Sequence, residues 1–386
     1  MNKLNICYFD NIMGEFNEYN PRFVFNQNHV KNIVDILSNK SPFYYTNEQI
    51  KTKLKIKNEN EYRQAIIYLN NISAIVEKDN KLTLNFTFFT SKDIKKIKYI
   101  VKNELNKNKE LLANKISNLK PKINQLYPAI NKNISLYHIL CGKIFDGEFF
   151  DYLSNDGFLK LSYKKQDNRD YMIIGYHDNF ICNKFNNSLF CSFNNARYKQ
   201  NSLTSFGTPD ERFDYFRYFK LRAINKLHGK FNKLHSLLYS YDDETIVKNS
   251  IEIINKIIQN KSVDDNNFFE ALKLTGYISV DNKILVPVFN NYIENVKIIR
   301  DIIINTLGDD IKRSLNNIKE QVINSKISCL THGAPIDEIC NELWHIFFGL
   351  LNNYFINKKI VASPKKYLRQ GQYLKCIYLF DSNSSM

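Results

Sequence analysis

The chain has 386 residues, 44% of them hydrophobic, which is enough for two or three domains with their own cores and excludes global disorder. Lys and Arg outnumber Asp and Glu by 54 to 39, giving a net charge of +15 that suits polyanions such as DNA or RNA, although the abundance of Lys, Asn and Ile also fits an AT-rich coding sequence. Met1–Cys7 lacks the apolar core of a signal peptide, no uncharged apolar run is long enough to span a bilayer, and the seven scattered cysteines form no CxxC pair; a cytoplasmic protein with no membrane partner and no disulfide framework is expected.

Residues 1–27 are polar and aromatic without a clear period and read as an arm. Residues 28–90 are more informative. Asn28–Leu37 gives a first helix; Thr46 with Gln49 forms a capping box for a second, whose buried stripe is Ile50 and Leu54. After the polar break Lys55–Asn58, Tyr62, Ala65, Ile66 and Leu69 recur at helical spacing, leaving Asn60, Glu61, Arg63, Gln64 and Tyr68 outward. Ile72–Val76 and Leu82–Phe86 then read as two strands joined by the polar tip Glu77–Lys81.

This order resembles the winged helix-turn-helix superfamily of bacterial transcription regulators. The resemblance implies a DNA-reading module in which Lys51, Lys55, Lys57, Lys78 and Lys81 meet phosphates and Asn60, Arg63 and Gln64 meet base edges, with Asn58 a further DNA-binding candidate. It departs from the pattern in one respect: Glu59 and Glu61 share the reading helix with Arg63, and winged helices also serve as protein–protein adaptors.

Residues 91–185 begin at a helix start, Thr90-Ser91-Lys92-Asp93, from which apolar positions continue at helical spacing from Ile94 to Leu119, toward Pro121. Nine lysines between Lys92 and Lys120 face only Asp93, Glu104 and Glu110. The stretch reads as a solvated helix face in preference to a phosphate-tracking surface. A second helix runs from near Ser135 to a glycine stop at Gly157, followed by a hairpin of Phe158–Tyr163 with Tyr171–Tyr176. Residues 177–207 are expected to be irregular. Thr208-Pro209-Asp210-Glu211 then signals one connector helix running to about Tyr239, closing a segment of residues 186–241.

The second half restates the first. Lys81–Phe86 has a counterpart in Lys283–Phe289, and Leu136–Leu140 with Gly142 one in Leu343–Phe347 with Gly349, both at about 200 residues' separation. Two copies of one unit follow, and one chain imitates a two-fold dimer; alternatively, each helix-plus-hairpin is itself winged-helix-like, giving four modules. The second module, residues 242–290, is eroded, with Asn266, Asn267, Lys273 and Lys283 as weaker DNA contacts. In residues 291–386, Leu307-Gly308-Asp309-Asp310 predicts a break in a long helix, whose apolar stripe suits the first long helix or a second chain.

Cys329, His332, Cys340 and His345 offer four ligand types, but the five-residue step from Cys340 to His345 puts them on different helix faces, so no metal is assigned. No phosphate loop, nucleophile elbow or HExxH occurs, and neither enzyme activity nor a cofactor is expected. The fold expected is α+β, mostly α, with tandem winged-helix units, long connecting helices and β-hairpins. The function expected is sequence-specific regulation of transcription on double-stranded DNA, with a plasmid or phage replication initiator and a protein-binding scaffold as alternatives and a homo-oligomer through the long helices as a further partner.

Overall fold

A computed structural model describes residues 3–10, 17–126, 132–161, 171–208, 212–264, 266–290, 292–364 and 372–380. The fold is α+β and mostly helical, with three small sheets among the described residues.

In chain order, the arm contains a strand, β1 (Lys3–Asp10), and a short helix, α1 (Pro21–Val24), capped by Asn20. Then come α2 (Val30–Ser38), β2 (Tyr45–Thr46), α3 (Asn47–Leu54), α4 (Glu59–Asn71), β3 (Ile75–Lys78), β4 (Lys81–Leu84), β5 (Thr87–Phe89) and α5 (Ser91–Leu126). Helix α5 passes Pro121 and carries Ile123, which is buried. A short α6 (Lys132–Leu136) runs into a π-helical stretch, Tyr137–Glu148, and then α7 (Phe149–Asn155), which stops before Gly157 at φ +71°.

Among the described residues the expected hairpin after Gly157 is not formed: Phe158–Leu161 is not strand, residues 162–170 lie outside the described residues, and β6 (Tyr171–Asp178) pairs with other strands. The segment expected to be irregular is ordered as α8 (Phe180–Asn186), whose first amides donate to Asn179, and a hairpin of β7 (Phe193–Tyr198) with β8 (Asn201–Gly207). The polar run Asn194-Asn195 hid the alternation, because both faces of β7 are partly solvated. The single connector helix is instead two, α9 (Tyr215–Ala223) and α10 (Lys230–Leu238), since Asn225 and Gly229 between them adopt positive φ, which a right-handed helix forbids. Of the predicted helix start, Thr208 lies outside α9 and Pro209–Glu211 lie outside the described residues; the cap is Asp214.

There follow α11 (Asp243–Ile258), α12 (Asn267–Thr275), β9 (Val288–Asn290), α13 (Tyr292–Asn324), α14 (Ser328–Thr331), α15 (Ile336–Asn357) and β10 (Tyr373–Leu379). The break expected at Gly308 is absent. Ile303, Leu307, Ile311 and Leu315 are all fully buried at i, i+4 spacing, and that continuous stripe carries α13 through the glycine.

The chain divides into two compact units, each assembled from three stretches: Met1–Asn108, Phe150–Asn186 and Asp310–Phe347 in the first; Lys109–Phe149, Asn187–Asp309 and Phe348–Met386 in the second.

In the first unit β6 is the central strand, antiparallel to β1 (Ile6 opposite Gly175) and parallel to β5 (Phe88 opposite Gly175). A side chain at Gly175 would run into the Phe88 ring, so only glycine fits there. The core joins this sheet to the helices before it through Leu4, Ile33, Ile50, Tyr62, Leu69 and Ile173. Asp93, 2% exposed, accepts from Thr90 N (2.9 Å) and Thr90 Oγ1 (2.7 Å) at the start of α5 and from Ser328 N (2.9 Å) at the start of α14. Glu104 of α5 accepts from Asn317 of α13 (2.9 Å), and Asn108 donates to Ser314 (2.9 Å).

In the second unit β10 is antiparallel to β8 (Cys376 opposite Thr204) and parallel to β9 (Tyr378 opposite Phe289), with β7 on the outer edge of β8. Here Lys115 of α5 donates to the Thr306 carbonyl of α13 (2.9 Å) and Asn295 to that of Leu126 (3.3 Å), so in each unit the two long helices meet within this one chain. Burying a guanidinium costs several kcal/mol unless its donors are satisfied. Arg212, 2% exposed, donates to the carbonyls of Ser192 (2.6 Å), Ser205 (3.2 Å), Gly207 (2.6 Å) and Thr208 (2.8 Å). Gly207 is confined to glycine by its φ of +142° and by the Gln372 carbonyl, which lies where a side chain would stand.

Candidate nucleic-acid interface

The first unit holds a helix–turn–helix followed by a hairpin, and the sequence builds each part locally. Thr46 accepts from Gln49 N (3.3 Å) while the Gln49 side chain accepts from Thr46 N (3.0 Å), the reciprocal cap that starts α3. Lys55 ends α3 in the left-handed conformation at φ +54°, and Asn58 caps α4 by accepting from Asn60 N (3.0 Å). Tyr62, Ala65, Ile66 and Leu69 are buried, which leaves Asn60, Arg63 and Gln64 exposed on the opposite side. Tyr68 is half-buried, edge-on to Phe23 at 5.7 Å.

Strands β3 and β4 are joined by Asp79-Asn80 alone, at φ +51° and +59°, the sign at both central positions that a two-residue hairpin turn requires. Lys78 and Lys81 face each other directly across that turn and are exposed. Strand β2 adds to the other edge of β4.

Asn47, which sequence reasoning passed over, ties the three parts together. Its amide donates to Glu77 (3.0 Å) and Asn80 (3.2 Å) of the hairpin and its side-chain oxygen accepts from the Tyr62 hydroxyl of α4 (2.8 Å). Burial, with Glu48 and Glu77 nearby, pushes the Tyr62 hydroxyl well above its ordinary value, so it remains a donor. On the far side of the hairpin, His332 bonds Thr83 (2.7 Å) through Nδ1 and the Lys40 carbonyl (3.0 Å) through Nε2.

The electrostatics rearrange what composition suggests. Glu59 is taken up by Lys51, which also lies 3.9 Å from Glu48, and these carboxylates raise the Lys51 pKa. Glu61 accepts from Asn58 (3.2 Å) and pairs with His29 (3.2 Å). The acids of α4 are thus occupied within the module, while Lys55, Lys57, Arg63, Lys78 and Lys81 are exposed and have no carboxylate partner among the described residues. Lys51 is the exception among the phosphate-contacting candidates.

The second set is differently placed. Asn266 spends its side-chain oxygen capping α12, accepting from Phe268 N and Phe269 N at 3.0 Å each, and Lys273 bonds Glu270 (2.9 Å) over the Phe269 ring. Asn267 and Lys283 are exposed. In place of a hairpin there is one isolated bridge, Ile278 to Ile284.

The cysteines and histidines singled out by composition lie in packed surroundings. Cys329 and Cys340 are free and buried, and burial raises both thiols, Cys340 to about 12. Burial drives the His345 pKa down to about 4 and that of His138 to about 3. Among the described residues no group of His, Cys, Asp and Glu is arranged to hold a metal ion, and no helix is long and apolar enough to cross a membrane. The chain matches no protein-family model, no curated protein and no solved structure.

Proposed function

We propose that this protein binds double-stranded DNA sequence-specifically through α3, α4 and the β3–β4 hairpin of its first unit, as a winged-helix regulator of transcription. The observation that carries the reading is the split of α4 into a buried face and an exposed face bearing Asn60, Arg63 and Gln64, beside a short hairpin with paired lysines at its tip. Arg suits the acceptors of guanine and Asn or Gln the adenine edge, while Lys55, Lys57, Lys78 and Lys81 supply phosphate contacts. Glu59 is paired with Lys51, and Glu61 is hydrogen-bonded by Asn58 and His29, so both acids of α4 are engaged within the module.

The finer architecture is also proposed: a duplicated unit, each copy a winged helix followed by a long helix, a second helix and one closing strand. Its support is the repeated strand order β1-β6-β5 and β8-β10-β9, with the same antiparallel and parallel partners in each. The second copy's committed side chains and missing hairpin leave the first as the reader.

Enrichment from a random duplex library, followed by salt titration of the enriched and a scrambled duplex, tests this. Arg63→Ala is expected to weaken the enriched site by roughly 5- to 150-fold and the scrambled one little, from about 1–3 kcal/mol per bidentate base contact. Lys78→Gln and Lys81→Gln should each lower the salt slope by about 0.9 on both. Equal loss on both duplexes with Arg63→Ala would reduce the module to a non-specific contact; no enrichment at all would favour a protein-binding role.

A further inference from the structure

A second charged surface lies in the first unit, away from the residues assigned above. Between Ser91 and Asn108, α5 carries six exposed lysines, Lys92, Lys95, Lys96, Lys98, Lys102 and Lys107, and its two acids, Asp93 and Glu104, are each 2% exposed and committed inward. Glu104 also pairs with Lys107 (2.5 Å), which leaves Lys92, Lys95, Lys96, Lys98 and Lys102 without a carboxylate partner among the described residues. Helix α8 lies alongside: Cys182 Sγ is 3.9 Å from Ser91 Oγ and the Lys98 ammonium is 5.3 Å from the Phe185 ring. On α8 itself, exposed Lys184 lies over the Phe180 ring at 5.4 Å. Asp178 beside α8 is bonded to Asn183 (2.6 Å).

Two aromatic rings stand out among these cations, Tyr99 at 69% exposed and Phe180 at 77%. Lys95, Tyr99 and Lys102 follow at i, i+4 and i+7, along one helix face. Duplex phosphates would neutralise the lysines and leave both rings in water. Unstacked bases would cover the rings as well, since base–aromatic stacking is tolerant of sequence and combines with a basic track in single-strand binders.

We infer that the α5–α8 surface of the first unit binds single-stranded nucleic acid, with Tyr99 and Phe180 stacking on bases and Lys95, Lys98, Lys102 and Lys184 on phosphates. The inference does not rest on the duplex reading, because it shares no residue with it.

Fluorescence anisotropy with labelled oligothymidylate, oligouridylate and a random duplex, using the full chain, separates the cases. The Tyr99→Ala/Phe180→Ala double variant is expected to bind oligothymidylate at least about 30-fold more weakly, from about 1–3 kcal/mol for each of two stacked bases, with duplex binding unchanged. Lys95→Gln/Lys102→Gln should lower the single-strand salt slope by about 0.7 per lysine. Comparison of oligothymidylate with oligouridylate shows whether DNA or RNA is held. Because all four side chains are exposed, the melting temperature should stay at the wild-type value. Wild-type affinity of the aromatic variant for both single strands overturns the inference, as does failure of the wild type to bind either at physiological salt. Loss confined to the duplex in the lysine variant also overturns it, in favour of a duplex-tracking face. Arg63→Ala in parallel should leave single-strand binding intact, so failure of either site is read separately.

Discussion

His138 shows how strongly position governs a side chain's chemistry. It is fully buried beside Tyr137 and Phe289, and desolvation holds its pKa near 3 in place of 6.5. The unfolded chain takes up this proton as pH falls below about 6.5, the folded chain only near 3, so stability attached to His138 declines with falling pH across that window. His138→Phe should therefore reduce the loss of unfolding free energy between pH 7 and pH 5 by about 2 kcal/mol, read from urea midpoints at the two pH values. An unchanged difference would mean that the imidazole is solvated in the folded protein. Lys375 has a related environment: burial among Tyr277 and Tyr373 brings its ammonium down to about 8 while Asp214 pulls the other way. For this lysine the folding penalty is complete below pH 8 and is relieved as pH rises toward 10.5.

At the scale of elements, the relation of the hairpin to α4 depends on Asn47. Its side chain makes three hydrogen bonds, two to the hairpin and one to Tyr62. Each is worth about 0.5–1.5 kcal/mol net, so Asn47→Ala should cost about 1–3 kcal/mol of stability. If the hairpin lysines act as phosphate contacts, the same change should lower duplex affinity without altering which sequence is enriched. A variant as stable as wild type would show that β2 pairing alone positions the hairpin. The turn Asp79-Asn80 bears on the same element. Both Asn80→Gly and Asn80→Val lose the hydrogen bond from Asn47, but glycine suits the positive φ while a β-branched side chain is forced to φ near +59°, so the valine variant should be about 1–2 kcal/mol less stable than the glycine variant in thermal unfolding.

For the whole molecule, the decisive feature is that the central strand of each three-strand core arrives last. β6 lies between β1 and β5 although more than eighty residues separate it from β5, and β10 lies between β8 and β9 in the same sense. Neither unit is a contiguous piece of chain. A fragment of residues 1–126 lacks β6, so the amides of β1 and β5 should exchange with solvent at unprotected rates, although α2 to β4 can retain their own packing. In the full chain the same amides should be protected. Protection of β1 in the fragment would show that it finds another partner and that β6 is dispensable.

What the sequence determined by itself was local. The capping box at Thr46, the buried positions of α4, the exposed triad Asn60, Arg63 and Gln64, and the glycine stop after α7 all follow from side chains acting within a few residues of their own backbone. Where a segment's structure came from distant partners, periodicity failed. β1 and β6 pair across more than 160 residues, so the first looked like an arm and the second like half of a hairpin. The segment containing α8, β7 and β8 was polar enough to look irregular, and only pairing with β10 and packing beside α5 make sense of it. Charge followed the same rule: counting lysines on α5 could not show that Asp93 and Glu104 turn inward to Ser328 and Asn317, nor that Glu61 is met by His29. Which charges face water is decided by packing between residues far apart in sequence, and that is a property of the tertiary structure alone.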